Sequence, residues 1–202
     1  MKKIFWTGTA LCVTAMLATG ALTACGGSEE ERFSKAKESF TNYTVAVDIS
    51  YDDGDEYHSE LLIVDKAGKL TVTSEGTTIV RYFKEENSTV FSYADKSSGW
   101  RNTDESTIEE ATENYNGYVA LFQSVFYDDF EKDGDYLKMK ESVLPSYSKK
   151  LSPYITLSSA KLTLKSNRFT TAIAVAEMGN TRCEMNYTFK DYGKTSVTLP
   201  EA

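Results

Sequence analysis

His58 is the single histidine among 202 residues, and a lone imidazole restricts the chemistry open to this chain. Three-histidine metal sites are excluded, and a Ser-His-Asp arrangement would have to be built on His58 with no partner at a known spacing. His58 follows a turn sequence and reads as a surface residue. Two acidic runs, Asp52-Asp53-Gly54-Asp55-Glu56 and Asp128-Asp129 through Glu131, Asp133 and Asp135, offer the oxygen ligands that a hard cation such as calcium prefers. Neither has the alternating ligands, central glycine and distant glutamate of an EF-hand loop, and turns collect Asp and Gly for conformational reasons. The neighbours Glu85 and Glu86, or Glu109 and Glu110, could supply an acid and a base for glycoside chemistry, but adjacent carboxylates generally point apart. The chain has no glycine-rich phosphate loop and no serine in a nucleophile-elbow setting. We therefore assign no catalytic residue, no metal ligand and no cofactor, and expect a non-catalytic protein.

The cysteines carry the chemistry that can be assigned. They stand at positions 12, 25 and 183. Lys2 and Lys3, an apolar stretch from Ile4 to about Ala21, and Leu22-Thr23-Ala24-Cys25 follow in the order of a secretory signal peptide. Small residues at Thr23 and Ala24 let a peptidase approach closely, and the Cys25 thiol can accept diacylglycerol. This tetrad resembles the lipobox of bacterial lipoproteins at all four positions. It implies a signal peptide over residues 1–24, a lipidated cysteine and flexible tether over 25–31, and a single domain over 32–202. An uncleaved transmembrane helix is the alternative, but Thr7, Gly8, Thr9, Thr14, Thr19 and Gly20 make the stretch weakly apolar for a span of about 20 residues. Two acyl chains on one cysteine anchor firmly where a single chain is marginal. The expected location is the extracytoplasmic face of a cell membrane, held by covalent lipid.

Cleavage before Cys25 leaves 178 residues, enough for one domain with a sizeable core. It removes Lys2 and Lys3, taking the formal charge from −8 to −10. Such an acidic chain lacks the concentrated Lys and Arg that phosphate backbones require, so nucleic acid is excluded as a partner. Cys12 leaves with the signal and Cys25 is acylated, so no intrachain disulfide is available. Cys183 alternates with Met185, Tyr187 and Phe189 and reads as a buried, inert core thiol.

The elements that position these residues follow from periodicity. Phe33, Ala36, the Lys37 stem and Phe40 recur at helical spacing over residues 29–41. Tyr43, Val45, Val47, Ile49 and Tyr51 then alternate with polar or small residues, the pattern of a half-buried antiparallel strand. Further strands are expected over 57–66, 70–74, 77–84 and 89–94, joined by tight turns at Asp53-Gly54, Ala67-Gly68-Lys69, Glu75-Gly76 and Glu85-Glu86-Asn87. A polar helix is expected over 104–114. Over 116–130, Val119, Phe122, Val125, Phe126 and Phe130 predict a strongly apolar helix lying across the sheet. A short strand over 135–140, an irregular stretch around Pro145 and Pro153 with room for a helical turn, three long strands over 155–164, 168–177 and 181–190, and a terminal strand over 195–199 complete the chain. The fold class is α+β: a large curved antiparallel sheet, a half-barrel, with helices packed on its concave face.

With the anchor, the leading helix and two meanders interrupted by helices, the chain resembles the LolA/LolB-like superfamily, particularly LppX/LprG-type lipoproteins. Its tail, Tyr187-Thr188-Phe189-Lys190-Asp191-Tyr192-Gly193 and Val197-Thr198-Leu199-Pro200, also looks like the last strands of such proteins. The resemblance implies a hydrophobic cavity that binds lipid or acyl chains; it transfers no binding residue. From the strand and helix faces, Val45, Val47, Ile49, Val119, Phe122 and Phe126 are expected to line that cavity. The alternative is an envelope interaction or sensor module without a small-molecule ligand, whose acidic surface meets a protein partner and whose apolar interior is only core.

Overall fold

A computed structural model describes residues 27–201. The sequence from Ser28 begins helix α1, Glu29–Glu38. Ser28 Oγ accepts from Glu31 N at 3.1 Å and Glu31 Oε2 accepts from Ser28 N at 3.0 Å, a reciprocal cap that satisfies two backbone donors. Glu29, Glu30 and Glu31 occupy the first turn, where the helix dipole favours negative charge. Residues 29–31, expected in the tether, therefore belong to the helix.

Eleven strands form one open antiparallel sheet in the order β6-β5-β4-β3-β2-β1-β11-β10-β9-β8-β7. The first meander comprises β1 (Asn42–Tyr51), β2 (Glu56–Val64), β3 (Ala67–Ser74), β4 (Thr77–Glu86), β5 (Thr89–Tyr93) and β6 (Trp100–Asn102). Helices α2 (Ile108–Tyr115) and α3 (Gly117–Ala120) precede β7 (Phe130–Asp133) and β8 (Tyr136–Met139). Helix α4 (Leu144–Leu151) leads into β9 (Ile155–Lys165), β10 (Arg168–Met178) and β11 (Thr181–Lys190). Strand β1 joins the two meanders by pairing with both β2 and β11, with Thr44 opposite Lys190 and Tyr51 opposite Cys183. The α+β class and the antiparallel sheet expected from the sequence are thus present.

One face of the sheet carries the core. Tyr43, Val45, Val47 and Ile49 of β1, Leu61 and Ile63 of β2, and Cys183, Met185, Tyr187 and Phe189 of β11 are all buried. Period two places them on one side, and the apolar area removed from water drives the assembly. Phe33 of α1 reaches this core edge-on to Phe169 of β10, with ring centroids 5.0 Å apart.

Four sequence expectations are corrected. The 116–130 helix is not formed: α3 ends at Ala120, Phe126 is extended, a 3-10 turn spans Tyr127–Asp129, and Phe130 opens β7. Asp129 Oδ2 takes the Phe126 amide at 2.8 Å, a local bond that competes with helix continuation. Of the apolar residues at helical spacing, Val119, Phe122, Val125 and Phe130 are buried and Phe126 is exposed. The terminal strand over 195–199 is also absent, because that segment bonds to a side chain instead of a ladder: Thr195 N donates to Asn42 Oδ1 at 3.0 Å. Ala67-Gly68-Lys69 lies inside β3, the reversal falling at Asp65, which has φ 49°. Around Pro145, where no more than a helical turn was expected, a regular eight-residue helix, α4, forms, since proline suits the first turn where its missing N–H is harmless. Edge strands β6 and β7 had no counterpart among the expected elements, being only three and four residues long.

Candidate functional site

The sheet face built by β1, β2 and β11 is covered by residues 116–125, and the 116–126 segment carries three of the six expected cavity residues. Asn116 starts it by accepting the Val119 amide on its side chain at 3.3 Å and donating to Ser59 Oγ of β2 at 2.8 Å. Gly117 permits a close approach to α4, where an added Cβ would lie 2.6 Å from the Lys150 carbonyl oxygen. From this start, Val119, Ala120, Leu121, Phe122, Gln123 and Val125 are all buried.

Val45, Val47, Ile49, Val119 and Phe122 all belong to one buried apolar core. Phe122, 1% exposed, sets its ring edge-on to Tyr187 with centroids 4.8 Å apart and against Phe189 at 6.4 Å. Phe40 stacks on Tyr43 at 4.3 Å. Rings in these geometries contribute beyond their buried area, and they fill the space between segment and sheet. Phe126 is the correction: it is 70% exposed and faces solvent. Once the helix stops at Ala120 and the backbone extends, positions 122 and 126 no longer share a face.

Polar groups hold this cover in place. The Tyr187 hydroxyl donates to the Tyr118 carbonyl at 2.8 Å. The Lys37 ammonium donates to the Gln123 carbonyl, and Lys150 Nζ donates to Ser124 Oγ at 2.6 Å. The Tyr147 hydroxyl donates to Asp129 Oδ2 at 2.5 Å. Burial lowers the Lys37 ammonium to about 8; Glu109 opposes this fall and Lys150 adds to it. Burial also raises the Tyr43 hydroxyl far above its ordinary value. Gln123 is 6% exposed; its Nε2 donates to the Tyr43 hydroxyl at 2.7 Å, while its Oε1 has no partner among the described residues. Since a buried polar atom is nearly always paired, this oxygen stands out: among the described residues it is the one buried side-chain polar atom without a hydrogen-bond partner. Sequence reasoning passed over Gln123 and Lys150, because a single polar residue within an apolar run carries no period of its own.

The residues considered for chemistry lie elsewhere. His58 Nδ1 is 2.7 Å from Asp48 Oδ1 on the exposed face, a cross-strand pair. In the first acidic run Asp52 faces Arg182 at 4.0 Å; in the second, Asp133 pairs with Lys161 at 2.8 Å and Glu131 with Lys138 at 3.6 Å. Glu85 and Glu86 pair with different lysines, Lys66 and Lys84. Among the described residues no three His, Cys, Asp or Glu side chains converge to hold a metal ion. Cys183 is buried, and burial pushes its thiol up, away from the reactive thiolate. Apart from this interior, a groove of about 890 Å³ is lined by Arg32, Lys132, Lys161, Thr171, Ile173 and Thr188.

The Cys25 lipidation site lies outside the described residues. No described helix is long and apolar enough to cross a membrane. In comparisons with known proteins, the sequence matches no family model and no curated protein.

Proposed function

We propose that this chain is a non-catalytic lipoprotein, anchored through Cys25 on the extracytoplasmic face of a membrane, that shelters a lipid or other apolar ligand between its sheet and the 116–126 segment. In this reading the sheet curves as a half-barrel and the helices lie on its concave side. The observation that carries the reading is the cover itself. The core face of β1 and β11 is closed by a segment with only one four-residue helix, held by side-chain bonds from Lys37, Lys150 and Tyr187, and within it Gln123 Oε1 has no partner among the described residues. A segment without a regular backbone ladder opens at lower free energy than a strand or a long helix. The resemblance of the chain to LolA/LolB-like and LppX/LprG-type lipoproteins supports the same ligand class.

The second reading, an envelope interaction module, is favoured by one observation: the rings of Phe40, Tyr43, Phe122, Tyr187 and Phe189 fill the interior. Native mass spectrometry separates the two. Residues 29–202, exported without the anchor, are weighed as isolated and again after incubation with lipid vesicles, and bound material is extracted with solvent. A lipid at near-stoichiometric amounts is expected, lost in a folded Phe122→Asp variant and kept in Phe126→Asp, whose side chain faces outward. An unchanged apo mass after incubation would move the assignment to the interaction module.

A further inference from the structure

Phe126 is 70% exposed, and its neighbour in the chain is packed on the start of α1. The next residue, Tyr127, sets its ring 5.7 Å from Phe33 of α1, and its hydroxyl lies 3.5 Å from Glu29 Oε2. Glu29 also pairs with Lys132 at 3.2 Å, and Lys140 Nζ donates to the Asp128 carbonyl at 2.6 Å. The turn that carries the exposed ring is thus held by Lys140 on one side and by the start of α1, where Lys132 pairs, on the other, at the end of the domain at which the described chain begins.

Cys25 precedes Glu29 by four residues, and four residues of fully extended chain span at most about 14 Å. A domain anchored at Cys25 therefore keeps Glu29, and with it the Phe126 turn, near the headgroup layer, which is only several ångströms deep on each side of a bilayer. We infer that the turn at Phe126, with Lys132 and Lys140 at the same end of the domain, is a membrane contact that seats the domain on the bilayer carrying its own anchor. An exposed aromatic ring gains by moving from water into the interface, and lysine stems can lie along the surface while their ammonium groups stay among the headgroups. The carboxylates of Glu29, Glu30 and Asp128 at the same end keep the contact shallow and suit it to a neutral surface. Because the anchor has already brought the domain to the membrane, one ring suffices to bias its orientation. The inference rests on acylation of Cys25 but not on any ligand in the interior. It also gives the cover segment two ends, Phe122 in the core and Phe126 at the bilayer.

The mature, acylated protein is reconstituted into phosphatidylcholine vesicles whose acyl chains are brominated at shallow or deep carbons. Tryptophan fluorescence is read for Phe126→Trp and for Met178→Trp, the Trp100 background being taken from the parent protein. Met178 is an exposed residue at the other end of β10, nine residues or about 30 Å from Phe169. The expected result is at least twofold quenching of Phe126→Trp by shallow bromines, weaker quenching by deep ones, and none for Met178→Trp. Acylated protein that floats with the vesicles while both variants stay unquenched overturns the contact and leaves the anchor standing. An intact mass without diacylglycerol on Cys25 overturns the anchor and the contact together.

Discussion

Lys37 shows how a residue predicted only as a helix stem acquires a role from burial. Its ammonium reaches the Gln123 carbonyl and is lowered by desolvation to about 8 from 10.5. Below pH 8 folded and unfolded chains both hold this proton, so the cost of burying the charge is constant. Between about 8 and 10.5 the unfolded chain binds more protons, so stability rises with pH across that window. The melting temperature of the wild type minus that of Lys37→Met should therefore increase from pH 7.5 to 9.5; a flat difference would show that the charge is not buried. The buried tyrosines act with the opposite sign, but only above their unfolded value near 10, because burial raises Tyr43 and Tyr187 and stability falls once the unfolded chain begins to ionise. The same gap between pattern and environment explains Phe126. Its type and spacing matched Phe122, and only the backbone between them separates a core ring from an exposed one.

At the scale of elements, the approach of α3 to α4 is the tightest constraint on the cover. A Cβ at Gly117 would meet the Lys150 carbonyl at 2.6 Å and the Leu151 Cα at 3.2 Å, both backbone atoms that cannot swing aside. Gly117→Ala should cost about 1–3 kcal/mol, in the range of overpacked interiors, read as a lowered urea midpoint with an unchanged slope. The long strands were legible because period two persisted over eight to eleven residues with turn residues at each end. The cover was not, since a segment buried without regular structure leaves apolar spacing that imitates a helix. Edge strands β6 and β7 were too short to show any period at all.

At the scale of the molecule, the pairing of β1 with β11 holds the two meanders in one sheet. It brings Thr44 opposite Lys190, residues nearly the whole domain apart in sequence. A chain ending at Gly179 would lack β11 and expose β1 and β10, two central strands, as unpaired edges. Such a chain should lose the cooperative thermal transition seen by far-ultraviolet circular dichroism; a retained transition would mean that the meanders fold separately. Because this contact closes a loop of nearly the full domain, folding should be slow for the domain's size.

What the sequence determined by itself was local: the lipobox tetrad at Cys25 as an expectation of anchoring, the strand faces from Tyr43 to Ile49 and from Cys183 to Phe189, and the turns at Asp53-Gly54 and Glu75-Gly76. Each of these follows from the chemistry or periodicity of a few consecutive residues. Tertiary structure alone decided that β1 pairs with β11, that residues 116–126 cover the sheet without forming a long helix, and that Phe122 goes inward while Phe126 stays out. Those outcomes depend on contacts between residues distant in the chain, such as Gln123 with Tyr43 and Gly117 with Lys150. Local spacing carries no information about which distant group will be there to meet a side chain.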